Sequence, residues 1–114
     1  EEIKNSRLKV CKKLAQRTGC ICVLKGPATI ISDGEKSLIN TTGNRALATA
    51  GSGDVLSGII GAFINRISNP LNAASAGVFI HGMCADAYSE NNNIDSMSSS
   101  DILDYIRPIL FRTP

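Results

Sequence analysis

Residues 50–60 read Ala50-Gly51-Ser52-Gly53-Asp54-Val55-Leu56-Ser57-Gly58-Ile59-Ile60, a glycine-rich turn running straight into a helical pattern. Val55, Leu56, Ile59, Ile60, Phe63, Ile64 and Ile67 recur at i, i+1, i+4 and i+5, so a helix with a broad apolar stripe is expected from Asp54 to Ile67. The first N–H groups of a helix have no internal partners and carry the positive end of its dipole. Gly51, Ser52 and Gly53 therefore have the makings of an anion hole. Asp54 reads in two ways. It is an N-cap residue worth about 0.5–2 kcal/mol, or it is a carboxylate that accepts a hydroxyl proton while nearby amides stabilise a transferring phosphoryl group. The spacing by itself leaves both open.

Upstream, residues 40–53 show no periodicity and are rich in Thr, Gly and Asn, which makes a loop long enough to suspect function. Before it, Ala28–Ser32 and Lys36–Ile39 flank Asp33-Gly34, a hairpin signal in which both turn positions tolerate positive φ. Cys20–Leu24 is a continuous apolar run and reads as a strand buried on both faces of a parallel sheet. Lys25-Gly26-x-x-Thr29 follows its C-terminal end, where ligands bind in open α/β sheets, and offers an ammonium, a free backbone and a hydroxyl. It is not a Walker loop, because GxxxxGK[ST] is absent. Leu8, Cys11, Leu14 and Ala15 set the apolar face of a first helix, Ile3–Thr18, stopped by Gly19. Arg7, Lys9, Lys12, Lys13 and Arg17 then form its solvated face.

Downstream, Leu71–Tyr88 offers Ala73, Ala74, Ala76, Gly77 and Ala85, and should pack closely against the preceding helix at Gly58, Gly61 and Ala62. Residues 89–100 read as an exposed connection. Ser100-Asp101 is expected to cap a last helix, Ile102–Phe111, which Pro108 kinks or shortens. A single buried parallel strand needs neighbours, so further strands are expected from chain beyond this sequence or from a partner.

With 114 residues the chain holds one domain at most, and 43% hydrophobic against 19% charged residues is a globular composition. A formal charge of +2, 4% aromatics and no Trp argue against nucleic-acid binding. No apolar run approaches the length of a membrane span. Cys11, Cys20, Cys22 and Cys84 form no C-x-x-C pair, so no metal site is expected; they read as reduced, buried thiols of a cytosolic protein without a signal-like N-terminus. His81, alone of its kind and surrounded by apolar residues, reads as structural. Thr42-Gly43-Asn44 reads equally as a turn or as part of a site.

Four stretches together carry a resemblance: V-L-K-G-P-A-T-I-I at 23–31, N-T-T-G-N at 40–44, G-S-G-D-V-L-S-G-I-I at 51–60 and A-A-x-A-G-V-x-I-H-G at 73–82. In that order they resemble the C-terminal half of the ADP/ATP-dependent NAD(P)H-hydrate dehydratases, a branch of the ribokinase-like superfamily. The resemblance implies an α/β, Rossmann-like three-layer domain of which residues 1–114 are the C-terminal portion. It implies a repair enzyme that uses ADP or ATP, with Mg2+, to dehydrate hydrated NADH or NADPH by phosphorylation and elimination of phosphate. On this resemblance Lys25, Gly26, Pro27, Ala28 and Thr29 line the adenine nucleotide, Gly53 touches its phosphates, Asp54 is the catalytic base, and Asn40 and Asn44 lie at the pocket rim. A cytoplasmic homo-oligomer is also implied. Ala50 departs from the glycine usual there, and the first half of the family domain is missing, so this chain alone is not expected to be competent. The alternatives are a hydroxymethylpyrimidine- or thiazole-type kinase of the same superfamily and a non-catalytic nucleotide-binding fragment.

Overall fold

The computed structural model describes residues 2–111. Helix α1 (Glu2–Thr18) is followed by strands β1 (Cys22–Leu24), β2 (Ile30–Ser32) and β3 (Ser37–Ile39). Helices α2 (Ser52–Ile64), α3 (Pro70–Asn91) and α4 (Ser99–Leu110) complete the order, with a short 3-10 helix, Arg45–Leu47, inside the loop before α2. Gly19 ends α1 at φ 67°, its N–H donating to the Ala15 carbonyl at 2.9 Å. No helix among the described residues is long and apolar enough to cross a membrane.

The strands form one antiparallel sheet in the order β1-β2-β3. This corrects the parallel reading of Cys20–Leu24: only residues 22–24 are strand, each is half-buried, and the partner is antiparallel β2. The reason is local. The turn at residues 25–29 is too short for a crossover and sends the chain straight back, pairing Leu24 with Ile30. The β2–β3 hairpin forms as expected, with Ser32 opposite Ser37. Asp33 Oδ1 accepts the N–H groups of Glu35 (2.8 Å) and Lys36 (2.7 Å), and within the turn only Gly34 takes a positive φ, 97°.

Val23, Ile31 and Leu38 lie side by side on one face of the sheet and pack on Leu56 of α2 and Leu71, Ala74 and Val78 of α3. Period-two alternation turns Ile30 and Ser32 to the other face, which α1 covers with Cys11 and Ala15. Leu14, assigned to the apolar face of α1, is half exposed. A second cluster joins Cys84, Ala85 and Tyr88 of α3 to Ile102 and Ile109 of α4, with Met97 closing it from the connection. The expected burial of the thiols holds for Cys11 and Cys84; Cys20 is exposed and Cys22 half-buried, all four being free.

Helices α2 and α3 pack on each other as expected, but not through Gly58 and Gly61, where an added Cβ would meet open space. The close approach is at Gly77 of α3, where a Cβ would lie 2.7 Å from Ile60 Cγ1 and 3.2 Å from Ile60 Cα. Helix α3 runs three residues past Tyr88. The cap of α4 is Ser98 rather than Ser100-Asp101: the Ser98 N–H donates to Asp101 Oδ2 at 2.8 Å in a capping box, and the helix continues through Pro108 to Leu110.

Candidate functional site

Three loops meet where β1, β3 and α2 converge. The first is the turn at residues 25–29. Thr29 Oγ1 donates to the Gly26 carbonyl at 3.1 Å, Pro27 occupies the second turn position, and Ala28 sits at φ 56°, a left-handed conformation that costs a residue with a Cβ about 1–2 kcal/mol. Such stored strain clusters at ligand-binding turns. Arg7 of α1 clamps this turn from behind, donating to the carbonyls of Pro27 (2.9 Å), Leu24 (3.3 Å) and Lys25 (3.3 Å). In front, the Lys25 ammonium lies over the start of α2, so close that a Cβ on Gly53 would come within 2.6 Å of Nζ.

The second loop leaves β3. The Asn40 N–H donates to the Thr29 carbonyl at 2.8 Å, which ties this loop to the first. It then lies on α3, where Thr42 Oγ1 donates to the Phe79 carbonyl at 2.8 Å and Asp86 accepts the Gly43 N–H and the Asn44 side-chain amide, both at 3.0 Å. The contact needs Gly82, because a Cβ there would overlap Thr42.

The third is the entry to α2. Gly51 is its N-cap at φ 88°, Ser52 is buried, and the Ser52 N–H donates to the Thr49 carbonyl at 3.2 Å. Among the described residues neither the Gly53 nor the Asp54 N–H has a hydrogen-bond partner. Of the residues expected to form an anion hole, Ser52 has its amide already engaged, while the Gly53 N–H and the neighbouring Asp54 N–H are free. His81 Nε2 lies 3.1 Å from the Ser52 carbonyl and 3.2 Å from Ser52 Oγ, so α3 holds the entry of α2 in place.

Together the loops border an open cavity of about 980 Å3. Lys25, Gly26, Pro27, Ala28, Thr29, Asn40, Asn44, Ser52 and Gly53 line it, as do Thr42, Arg45 and His81. Gly51 and Asp54 do not. Asp54 is exposed in the first turn of α2, and its carboxylate accepts no hydrogen bond among the described residues. Its N-cap reading is corrected, since Gly51 is the cap. Asn44 lines the cavity, but its side chain is engaged as the cap of the 3-10 helix, accepting the Ala46 N–H at 2.8 Å. Arg7, expected on the solvated face of α1, instead reaches this turn, and His81, expected to be structural, braces Ser52 and also lines the cavity. The partners of Arg7 lie 17 to 20 residues away, and only the fold brings them to it.

Burial holds the His81 pKa below the usual imidazole value, and the Lys25 charge adds to this against the raising effect of the Ser52 hydrogen bond. The unfolded chain therefore binds a proton near pH 6.5 that the folded one refuses. Stability from this group is complete above that pH and is lost as pH falls toward the lowered value, by at most about 1.4 kcal/mol per pH unit. His81→Gln keeps a donor without the titration. Urea midpoints between pH 7.5 and 5.5 should decline more steeply in the parent than in the variant, and parallel lines would contradict the assignment. Burial pushes the Cys11 and Cys84 thiols up to about 11, which leaves neither a nucleophile at neutral pH.

A family model described as NAD(P)H-hydrate dehydratase matches residues 1–108. The chain belongs to the NAD(P)H-hydrate dehydratase family. It is 42% identical over 107 residues to the bifunctional NAD(P)H-hydrate repair enzyme Nnr of Hyperthermus butylicus, covering 93% of this chain and 19% of that protein. It is 39% identical over 88 residues to the ADP-dependent (S)-NAD(P)H-hydrate dehydratase of Cenarchaeum symbiosum, covering 77% of this chain and 31% of that one. Among solved structures, the ADP/ATP-dependent NAD(P)H-hydrate dehydratase from Bacillus subtilis, co-crystallised with ATP/Mg2+, superposes with a TM-score of 0.91 at 28% identity, over 97% of this chain and 40% of that one. A hydroxyethylthiazole kinase from Pyrococcus horikoshii shares the fold with a TM-score of 0.80 at 20% identity. The architecture is that of a portion of a ribokinase-like α/β domain, and the chain spans less than half the length of these family members.

Proposed function

We propose that residues 1–114 supply the nucleotide site and the catalytic base of an ADP- or ATP-dependent NAD(P)H-hydrate dehydratase, as the C-terminal portion of one domain. One observation carries this reading: the Lys25 ammonium and the unpartnered Gly53 N–H meet at the entry of α2, on the wall of a cavity large enough for a nucleotide, with the unpartnered Asp54 N–H next along the same helix turn. The turn at 25–29 and the loop at 40–49 hold the nucleotide, and the helix entry faces its phosphates. Asp54 lies outside the cavity lining and meets the hydrate from the exposed side of the same helix turn. Its carboxylate takes the hydroxyl proton as that oxygen attacks the terminal phosphoryl group and displaces AMP from ADP or ADP from ATP; the C–O bond then breaks to release inorganic phosphate, the adjacent ring carbon gives up a proton, and the nicotinamide double bond is restored.

Among the described residues no three His, Cys, Asp or Glu side chains cluster. Mg2+ enters as part of the nucleotide co-substrate, held chiefly by phosphate oxygens and water. The free edge of β1 is where further strands of the domain would add. Four free thiols agree with a reducing, cytoplasmic setting, and a homo-oligomer is expected by family likeness.

Product analysis of the intact protein with NADHX and ADP tests the reading. Recovery of reduced-nicotinamide absorbance with one inorganic phosphate per NADH is expected. Accumulation of a stable phosphorylated product would assign the site to a kinase of the same fold instead.

A further inference from the structure

We propose that Arg7 is a positioning residue for nucleotide binding: from α1, its guanidinium fixes the turn at residues 25–29 in the shape that presents Lys25 to the phosphates. The inference rests on the reading of this cavity as a nucleotide site.

One planar guanidinium serves three carbonyls of the same turn, those of Leu24, Lys25 and Pro27. Its fork of five donors suits that task, whereas a lysine ammonium is a single compact charge on a flexible stem. The geometry has two consequences. Three carbonyl oxygens that would otherwise repel an anion bound at this turn are each engaged by a cationic donor. The fixed positive charge behind the turn also adds to that of Lys25 in front.

Gly26 is built around the same contact. At φ 150° it leaves room for the guanidinium, and a Cβ there would lie 2.8 Å from Arg7 Nη2. Ala28 holds its left-handed φ within the turn that Arg7 clamps. Lys9, Lys12, Lys13 and Arg17 of the same helix behave differently: they are exposed, and their side chains make no hydrogen bond among the described residues. Arg7 therefore leaves the solvated face to which its charge had assigned it.

The test is steady-state kinetics and ADP and ATP calorimetry on the intact protein, its Arg7→Met and Arg7→Lys variants, and Lys12→Met as a control on the same helix. Arg7→Met should raise the nucleotide KM and Kd by about tenfold or more, as expected for carbonyls losing a charged donor. The hydrate KM, and kcat at saturating nucleotide, should stay within about twofold, since neither depends on those carbonyls. Arg7→Lys should fall between Arg7→Met and the parent, and Lys12→Met should match the parent. A purely structural role would instead lower the amount of folded enzyme and leave the nucleotide KM unchanged. That result overturns the inference. If Arg7→Met does not fold, Arg7→Lys decides: a nucleotide KM raised several-fold supports the inference, and an unchanged one overturns it. If the parent protein binds neither ADP nor ATP, the nucleotide-site reading fails and this inference with it. If the parent binds and the Arg7 variants match it, only the inference fails.

Discussion

Asp54→Asn in the intact protein should lower kcat by about 10^2–10^4-fold, the usual contribution of a positioned general base, while ADP affinity changes by no more than a few fold. The two effects separate because Asp54 lies outside the cavity that the nucleotide residues line. Asparagine keeps the shape of the side chain and the Asp54 N–H at the helix entry, and removes only the group that can hold a proton. The stability effect should also be small. Asp54 is not the cap of α2, so what is lost is its first-turn interaction with the helix dipole, about 0.3–1 kcal/mol. Single-turnover kinetics beside ADP calorimetry will check this. A variant that turns over like the parent would return Asp54 to a role in helix stability.

Gly82→Ala should have the second large effect, this time on structure. The added methyl would overlap Thr42 and come within 2.7 Å of the Thr42 carbonyl carbon and 2.8 Å of the Gly43 nitrogen. Two of these contacts are backbone, so no rotamer change relieves them. The loop must lift from α3, loosening the Thr42–Phe79 and Gly43–Asp86 hydrogen bonds together. A destabilisation of about 2–3 kcal/mol is expected, at the upper end of overpacking costs. The wall of the cavity formed by residues 40–45 moves with it, so nucleotide affinity should fall in the fraction that remains folded. Gly58→Ala, facing open space on α2, is the matched control and should be neutral or slightly stabilising. Equal behaviour of the two variants in thermal melts would show that the loop does not depend on this contact.

The contrast between these glycines shows what the sequence could reveal. Helical periodicity located α1 to α4 to within a few residues, because an apolar stripe must face a core whichever core it is. Which small residues make the close approach was not legible: Gly58, Gly61 and Gly77 all read as contact positions, yet only the last meets the neighbouring helix. The β1 run was apolar enough for a strand buried on both faces. Its direction, however, is set by the tight return at Gly26–Thr29, a tertiary consequence of a turn whose composition suggested only a strand end.

Around the cavity, the placement of Lys25, Thr29 and Gly53 could be read from local pattern, since glycine ahead of a helix start is the pattern expected of an anion-binding corner. Arg7 could not, because a basic residue on a helix looks solvated until the fold brings it to carbonyls far along the chain. His81 was legible only as a buried histidine. That its ring holds Ser52, and so the entry of α2, depends on where two helices cross.

A crystal structure of the intact protein with ADP and Mg2+ bears on all of this at once. The diphosphate should lie within hydrogen-bonding distance of the Gly53 and Asp54 N–H groups and of Lys25 Nζ, with the adenosine in the cavity between residues 25–29 and 40–45. Nucleotide density elsewhere on the molecule, with this helix entry facing only solvent, would contradict the assignment.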